Sequence, residues 1–274
     1  MEKFAKNTFS ARMKSMLRVD MRRAFTSSLF YIMAGIALVV PILILVMTGM
    51  MDGTVSTHPQ TGEQTIMEGF ENVWQIIGSV SGAGMGATAE GGAGMSMDLV
   101  SMCNINMMYF AVAVFVCVFI TDDFRSGYAK NLFTVRAKKW DYVLSKTVIG
   151  FLGGGTMILA FFIGSMIGGK IAGLPFSMDG FNGFNVFCSI ACKVLLTLIF
   201  TSITVTMSCV GKQKTWLAML LSLGAGMLLF TMAPMIAPLD ASVLHVVLCL
   251  AGGVMFAFGL GAISNVVLKK TALV

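Results

Sequence analysis

The chain has 274 residues, 57% hydrophobic and only 12% charged, with a formal charge of +6. A soluble domain is about 45–50% apolar and about 25% charged, so this composition, with a mean hydropathy of +0.85, excludes an ordinary globular protein. It predicts an all-α, polytopic membrane protein occupying 1–274 as one transmembrane domain. A helix needs about 20 mostly apolar residues to cross a ~30 Å hydrocarbon core, and six stretches meet that requirement.

Residues 1–28 form a basic leader in which Phe9, Met13, Met16 and Leu17 recur at helical spacing. A basic amphipathic helix can lie in the membrane interface with its cations near anionic headgroups. Arg12, Lys14, Arg18, Arg22 and Arg23 are the candidate membrane-surface residues. The plainer alternative is a leader that is basic only to orient the first span. That span, "LFYIMAGIALVVPILILVMTG" at 29–49, exceeds the ~7–15 residues of a signal-peptide core and reads as a retained helix. Ser27 or Ser28 is positioned to cap it.

The loop 50–98 is acidic and too long for a passive connection. Within it, Ile66, Phe70, Val73, Trp74 and Ile77 share one helical face, predicting a Trp-bearing helix over 65–80 on the outer interface. Six glycines follow between 82 and 94. They fit either a flexible linker or short helices meeting through small residues.

The second span is predicted at 99–120 and the third at 147–169, where Gly164 and Gly168 permit close helix approach. The fourth lies near 189–210. Lys193 within it is expected at the outer interface, its amine snorkelling to water. The fifth, 215–237, should bend or end at Pro234 and Pro238. The sixth runs from about 243 to 268, with His245 expected as a satisfied polar group near the outer surface. Six cysteines in or beside the spans make no CxxC pair; they read as small apolar filler, with no metal site.

Charge is distributed by side. The leader, the loop 121–146, Lys212 with Lys214, and Lys269 with Lys270 are basic, whereas 50–98 has no Lys or Arg; Lys170 is the exception. Lysine and arginine near span ends mark the cytoplasmic face, so both termini are expected in the cytoplasm.

The loop 121–146 is the most informative segment. Two spans could be joined by about 2–8 residues, yet "DDFRSGYAKNLFTVRAKKWDYVLSK" mixes apolar anchors with cations. A short amphipathic element held beneath the membrane suits docking to a partner. The stretch resembles the segment after the second span in permeases of bacterial ABC-2 type exporters. Those carry an acidic residue, a glycine a few positions on, a Leu-rich helix, and an S-R-x-x-Y-x-x-S-K run into the third span. Asp123 and Gly127 stand in the first two places, and Tyr142, Ser145 and Lys146 match Y-x-x-S-K. Lys138 and Lys139 replace Ser-Arg, Tyr128 follows the glycine where Thr is common, and Arg136 takes a place often held by Pro.

The resemblance extends to the leader, the six spans and the chain length. It implies a plasma-membrane permease subunit whose inner loop is a coupling helix fitting a cleft on a separate ATPase. The implied docking residues are Asp123, Gly127, Leu132, Phe133, Arg136, Lys138, Lys139 and Trp140, with Asp123 bracing the start of the loop by pairing with Arg125 or Lys130. The chain has no G-x-x-x-x-G-K-[ST] run and so no nucleotide site of its own. ATP and Mg²⁺ are expected in the partner subunit, and no cofactor in this chain. A second copy or a related permease, two ATPase subunits and the lipid bilayer are the expected partners, with no nucleic acid. Cargo would be lipophilic or peptide-like, in keeping with 24 adaptable methionines. An ion-driven secondary transporter is the alternative, but it calls for ionisable groups near the midplane, and the span centres hold no Asp or Glu. A membrane enzyme would need a catalytic cluster that the residues do not supply.

Overall fold

The computed structural model describes residues 9–52, 55–57, 64–66, 69–78, 104–135, 138–177 and 182–270. Among them the chain forms α1 (Phe9–Phe25), α2 (Ser28–Met51), α3 (Met108–Arg125), α4 (Tyr128–Val135), α5 (Lys139–Ala172), α6 (Gly183–Gly211), α7 (Thr215–Ile236) and α8 (Val243–Lys270). A short antiparallel pair, β1 (Val55–Thr57) with β2 (Gln64–Ile66), sets Val55 opposite Ile66. Six helices are long and apolar enough to cross a membrane: α2, α3 with its preceding turn, and α5 to α8.

Burial separates these six into two sets. α3, α5 and α6 are the interior of the bundle, while α2, α7 and α8 are largely exposed, as expected of helices facing lipid, since a helix apolar all round is a membrane span or a core helix. The interior is aromatic and tightly packed. Tyr109 of α3 stacks on Phe200 of α6 with ring centres 4.3 Å apart, and its hydroxyl donates to the Lys193 carbonyl at 3.0 Å. α2 lies along α5 because glycine permits it: a Cβ on Gly164 would strike the Leu38 carbonyl oxygen, and one on Gly168 would come within 2.8 Å of Ile42 Cα.

The helix termini follow local chemistry. Ser27 caps α2 by accepting from the Phe30 amide at 3.3 Å. α7 contains Pro234 and stops before Pro238. His245 Nδ1 accepts from the Ser242 amide at 3.2 Å at the start of α8, satisfying an N–H that a helix start leaves orphaned. Alternation of the spans gathers α1, α4, the α6–α7 turn and the end of α8 at one end of the bundle. Arg12, Lys14, Arg18, Arg22, Arg23, Arg125, Lys130, Lys138, Lys139, Lys146, Lys212, Lys214, Lys269 and Lys270 all lie there. We call it the basic end.

Two expectations are corrected. The helix predicted over 65–80 is instead strand β2 followed by a 3₁₀ turn, Val73–Ile76. Asn72 starts that turn by accepting from the Trp74 and Gln75 amides, Gly69 donates to Asp52 Oδ1 at 3.0 Å, and Trp74 Nε1 donates to the Phe176 carbonyl at 2.9 Å. Val73 and Ile76 are buried, with Val73 against Gly169, so the apolar spacing serves packing on α5 and not an interfacial face. The glycine-rich run 82–94 lies outside the described residues. Lys193 does not snorkel either: it is fully buried, its Nζ donating to the Ala237 carbonyl at 2.9 Å. Pro238 ends α7 there, leaving that carbonyl without a helical donor, and the lysine fills the place.

Candidate functional site

Under the basic end, four helices bring charged and polar side chains into a site that is buried at its centre and reaches water at Arg23 and Tyr128. α1 reaches it through Met16, Asp20 and Ala24, its buried residues at i, i+4 and i+8, which share one helical face. A carboxylate in the middle of that stripe points into the protein, and Asp20 has no exposed surface. α3 supplies Asp123, also fully buried, from its last turn. α5 is 34 residues long, about 51 Å at 1.5 Å per residue, so its first two turns project beyond a ~30 Å core. Tyr142, Ser145 and Lys146 occupy one face of those turns, all buried.

Lys146 Nζ lies between the carboxylates, 2.9 Å from Asp20 Oδ1 and 2.7 Å from Asp123 Oδ2. Ser145 Oγ donates to Asp20 Oδ2 at 2.7 Å, and the Tyr142 hydroxyl donates to Asp123 Oδ2 at 3.1 Å. Arg23 Nη1 stands 2.8 Å from Asp123 Oδ1. Three of the four carboxylate oxygens accept a hydrogen bond, while Asp123 Oδ1 is met by the Arg23 charge without one; two cations balance two anions, as buried charge requires. Aromatic rings close the sides. Lys146 Nζ is 4.2 Å from the centre of the Phe119 ring, and the Arg23 guanidinium is 4.2 Å from that of Tyr128, the first residue of α4, both within cation–π range.

The electrostatics hold these states. Burial pulls the Arg23 pKa down, but Asp123, joined by Tyr128 and Asp20, turns the net shift upward. Burial pushes the Tyr128 hydroxyl up, with Asp20 adding to the rise. The guanidinium stays charged and the phenol neutral. A second ion pair, Arg12 Nε to Asp141 Oδ2 at 3.0 Å, fixes α1 to the first turn of α5. Among the described residues no group of His, Cys, Asp and Glu is arranged to hold a metal. The arrangement is a mechanical joint, in which α1, α3, α4 and α5 share one neutral knot of charge.

The expected docking residues divide. Asp123 turns inward to Lys146 and Arg23, not to Arg125 or Lys130, both of which are exposed. Gly127 has φ +74°, the left-handed conformation that commonly follows a helix end, and separates α3 from α4. Leu132 and Phe133 are half-buried against the core, the Phe133 ring standing edge-on to Tyr142 at 5.3 Å. Lys139 Nζ donates to the Leu268 carbonyl at 2.5 Å, and Trp140 stacks on Phe258 at 6.4 Å, so both turn toward α8. Lys138 is exposed, as are Lys130, Asn131 and Thr134 on α4. Arg136 lies outside the described residues. In the leader, Lys14, Arg18 and Arg22 are exposed, whereas Arg12 and Arg23 are half-buried in the pairs above.

Asp20 is the member that the sequence reading passed over. Its signal was there: the one acid of α1 among five basic residues, four positions from both Met16 and Ala24. No family model, curated protein or solved structure matches the chain.

Proposed function

We propose that the protein is the permease subunit of an ATP-driven exporter, with the basic end in the cytoplasm and α4 the element on which a separate ATPase acts. The observation that carries this reading is the joint itself. α4 begins at Tyr128, whose ring covers Arg23, and Arg23 and Lys146 grip Asp123 at the end of α3. A push on α4 is therefore transmitted to the leader, to α3 and to the base of the 34-residue α5. Such coupling between a nucleotide site on one subunit and a transport path on another is allosteric in the thermodynamic sense. The surface offered to the ATPase is the exposed edge of Lys130, Asn131, Thr134 and Lys138, with Leu132 and Phe133 half-buried as its footing.

The test is co-purification from detergent with a separately encoded ATPase, followed by ATP-dependent export from reconstituted vesicles. K130E/K138E should reduce ATPase retention at least tenfold while leaving the purified chain monodisperse. Undiminished retention would remove α4 from the interface. A second reading, ion-driven transport, draws on the buried Lys193, an ionisable group inside a span. Export driven by a proton or sodium gradient without ATP, and lost in K193M, would favour it.

A further inference from the structure

The lower flank of α5 and α8 carries a feature that the transport reading does not use. The two helices part to leave a shallow crevice of about 30 Å³, lined by Trp140, Val143, Leu144 and Thr147 of α5 and Ala257, Phe258 and Gly261 of α8. Its lining is apolar but for Thr147, whose hydroxyl is spent on the Val143 carbonyl at 3.0 Å. Ligand pockets run to about 300–1,000 Å³; at about 30 Å³ this crevice encloses no ligand and is a groove that can only bed a thin stretch of chain lying between the helices.

Charge collects at the basic end of the same helix pair. Lys139 Nζ reaches the Leu268 carbonyl at 2.5 Å, which brings the first turn of α5 beside the last turn of α8. Lys138, Lys269 and Lys270 flank that contact, and all three are exposed. The nearest acid in sequence, Asp141, is buried and paired with Arg12, so it does not cancel them. Trp140 marks the boundary, a residue type enriched where hydrocarbon meets water. Cations sit on the water side of it and an apolar slot on the other.

We infer that this crevice is a binding site for an anionic diacyl phospholipid, an acyl chain lying between α5 and α8 and the phosphate held by Lys138, Lys269 and Lys270. Juxtamembrane lysine clusters and basic pockets between spans attract anionic lipid. Here the slot adds a fixed seat, and Trp140 reports its occupancy. Lys138 also belongs to the edge proposed for the ATPase, so lipid binding is read on the purified chain without an ATPase.

The protein has three tryptophans, so W74F/W216F leaves Trp140 as the sole fluorophore. That variant is reconstituted in phosphatidylcholine containing tail-brominated phosphatidylglycerol or, separately, tail-brominated phosphatidylcholine at the same mole fraction. Brominated phosphatidylglycerol should half-quench Trp140 at a several-fold lower mole fraction than brominated phosphatidylcholine. K138Q/K269Q/K270Q should bring the two curves together, and A257F, which fills the slot, should weaken quenching by both. Helix content and monodispersity are measured for each variant, and K138Q alone provides a milder test should the triple variant not fold. Equal quenching by both lipids in the parent would show ordinary lipid contact and overturn the site. So would a preference unchanged in K138Q and in the triple variant.

Discussion

Lys146 is the residue on which the basic end turns. It lies within 2.9 Å of both Asp20 and Asp123, whereas Arg23 is close to Asp123 and stands 3.9 Å from Asp20, and removing one partner of a buried pair costs about 3–5 kcal/mol because the other charge is left stranded. K146M should therefore lower unfolding stability in detergent by that order, read from the thermal or denaturant midpoint by circular dichroism. D123N/K146M removes a charge of each sign and should be less destabilised than K146M alone. If the double variant is worse by the sum of the two single changes, charge balance is not what holds the site together. Much of this was legible beforehand. Asp123, Tyr142, Ser145 and Lys146 stood out as a spaced motif, but spacing shows which residues share a face and not what they face. That is why Asp123 was given Arg125 or Lys130, its neighbours in sequence, when its partners come from helices 100 residues behind and 23 ahead. Lys193 misled for a related reason: its depth along α6 was readable, but the orphaned carbonyl of Ala237 that it satisfies belongs to another helix.

Among the elements, α2 and α5 make the closest pairing, and glycine sets it. G164L would force a side chain onto the Leu38 carbonyl; overpacking of this kind costs about 1–3 kcal/mol and occasionally more. Gly35 on the same helix pair has nothing within 4 Å of a built Cβ, so G35L should stay within about 0.5 kcal/mol. Comparing the two unfolding midpoints tests the packing against a general glycine effect. At Gly127, φ is +74°, and a left-handed backbone costs a Cβ-bearing residue about 1–2 kcal/mol. G127V should lose about that much and increase proteolytic cutting near α4. Apolar run length made the six spans readable, because the membrane imposes it. The segment 65–80 was not, since apolar residues at 3, 4 and 7 suit a helix and equally a capped turn whose side chains fill a gap. Only the seat between Gly169 and the loop at 174–176 decides between them.

At the scale of the whole molecule, three interior and three peripheral helices make a bundle whose outer surface is rich in apolar side chains, with the described cations other than Lys170 and Lys193 drawn to one end. An orientation prediction follows. Single cysteines placed at Lys130 and at Glu71, in a background with the native cysteines replaced, should differ in labelling by an impermeant reagent applied to intact cells. Position 71 should react and position 130 should not, because basic span ends stay in the cytoplasm. Architecture was readable at this scale because hydropathy and charge asymmetry are sums over many residues and tolerate local error. The joint at the basic end was not, since it depends on where a few side chains meet after folding.

The pairing of α1 with the base of α5 also dictates an order of events during synthesis. When the leader emerges, Arg23, 3.9 Å from Asp20 in the folded protein, is already made, but Ser145 and Lys146 are more than 120 residues from being made. The leader must wait, hydrated and open to proteases, while two spans insert, and it closes like a clasp only when the third arrives. A nascent chain stalled before residue 139 should have its leader cut readily, and one stalled after the end of α5 should be protected.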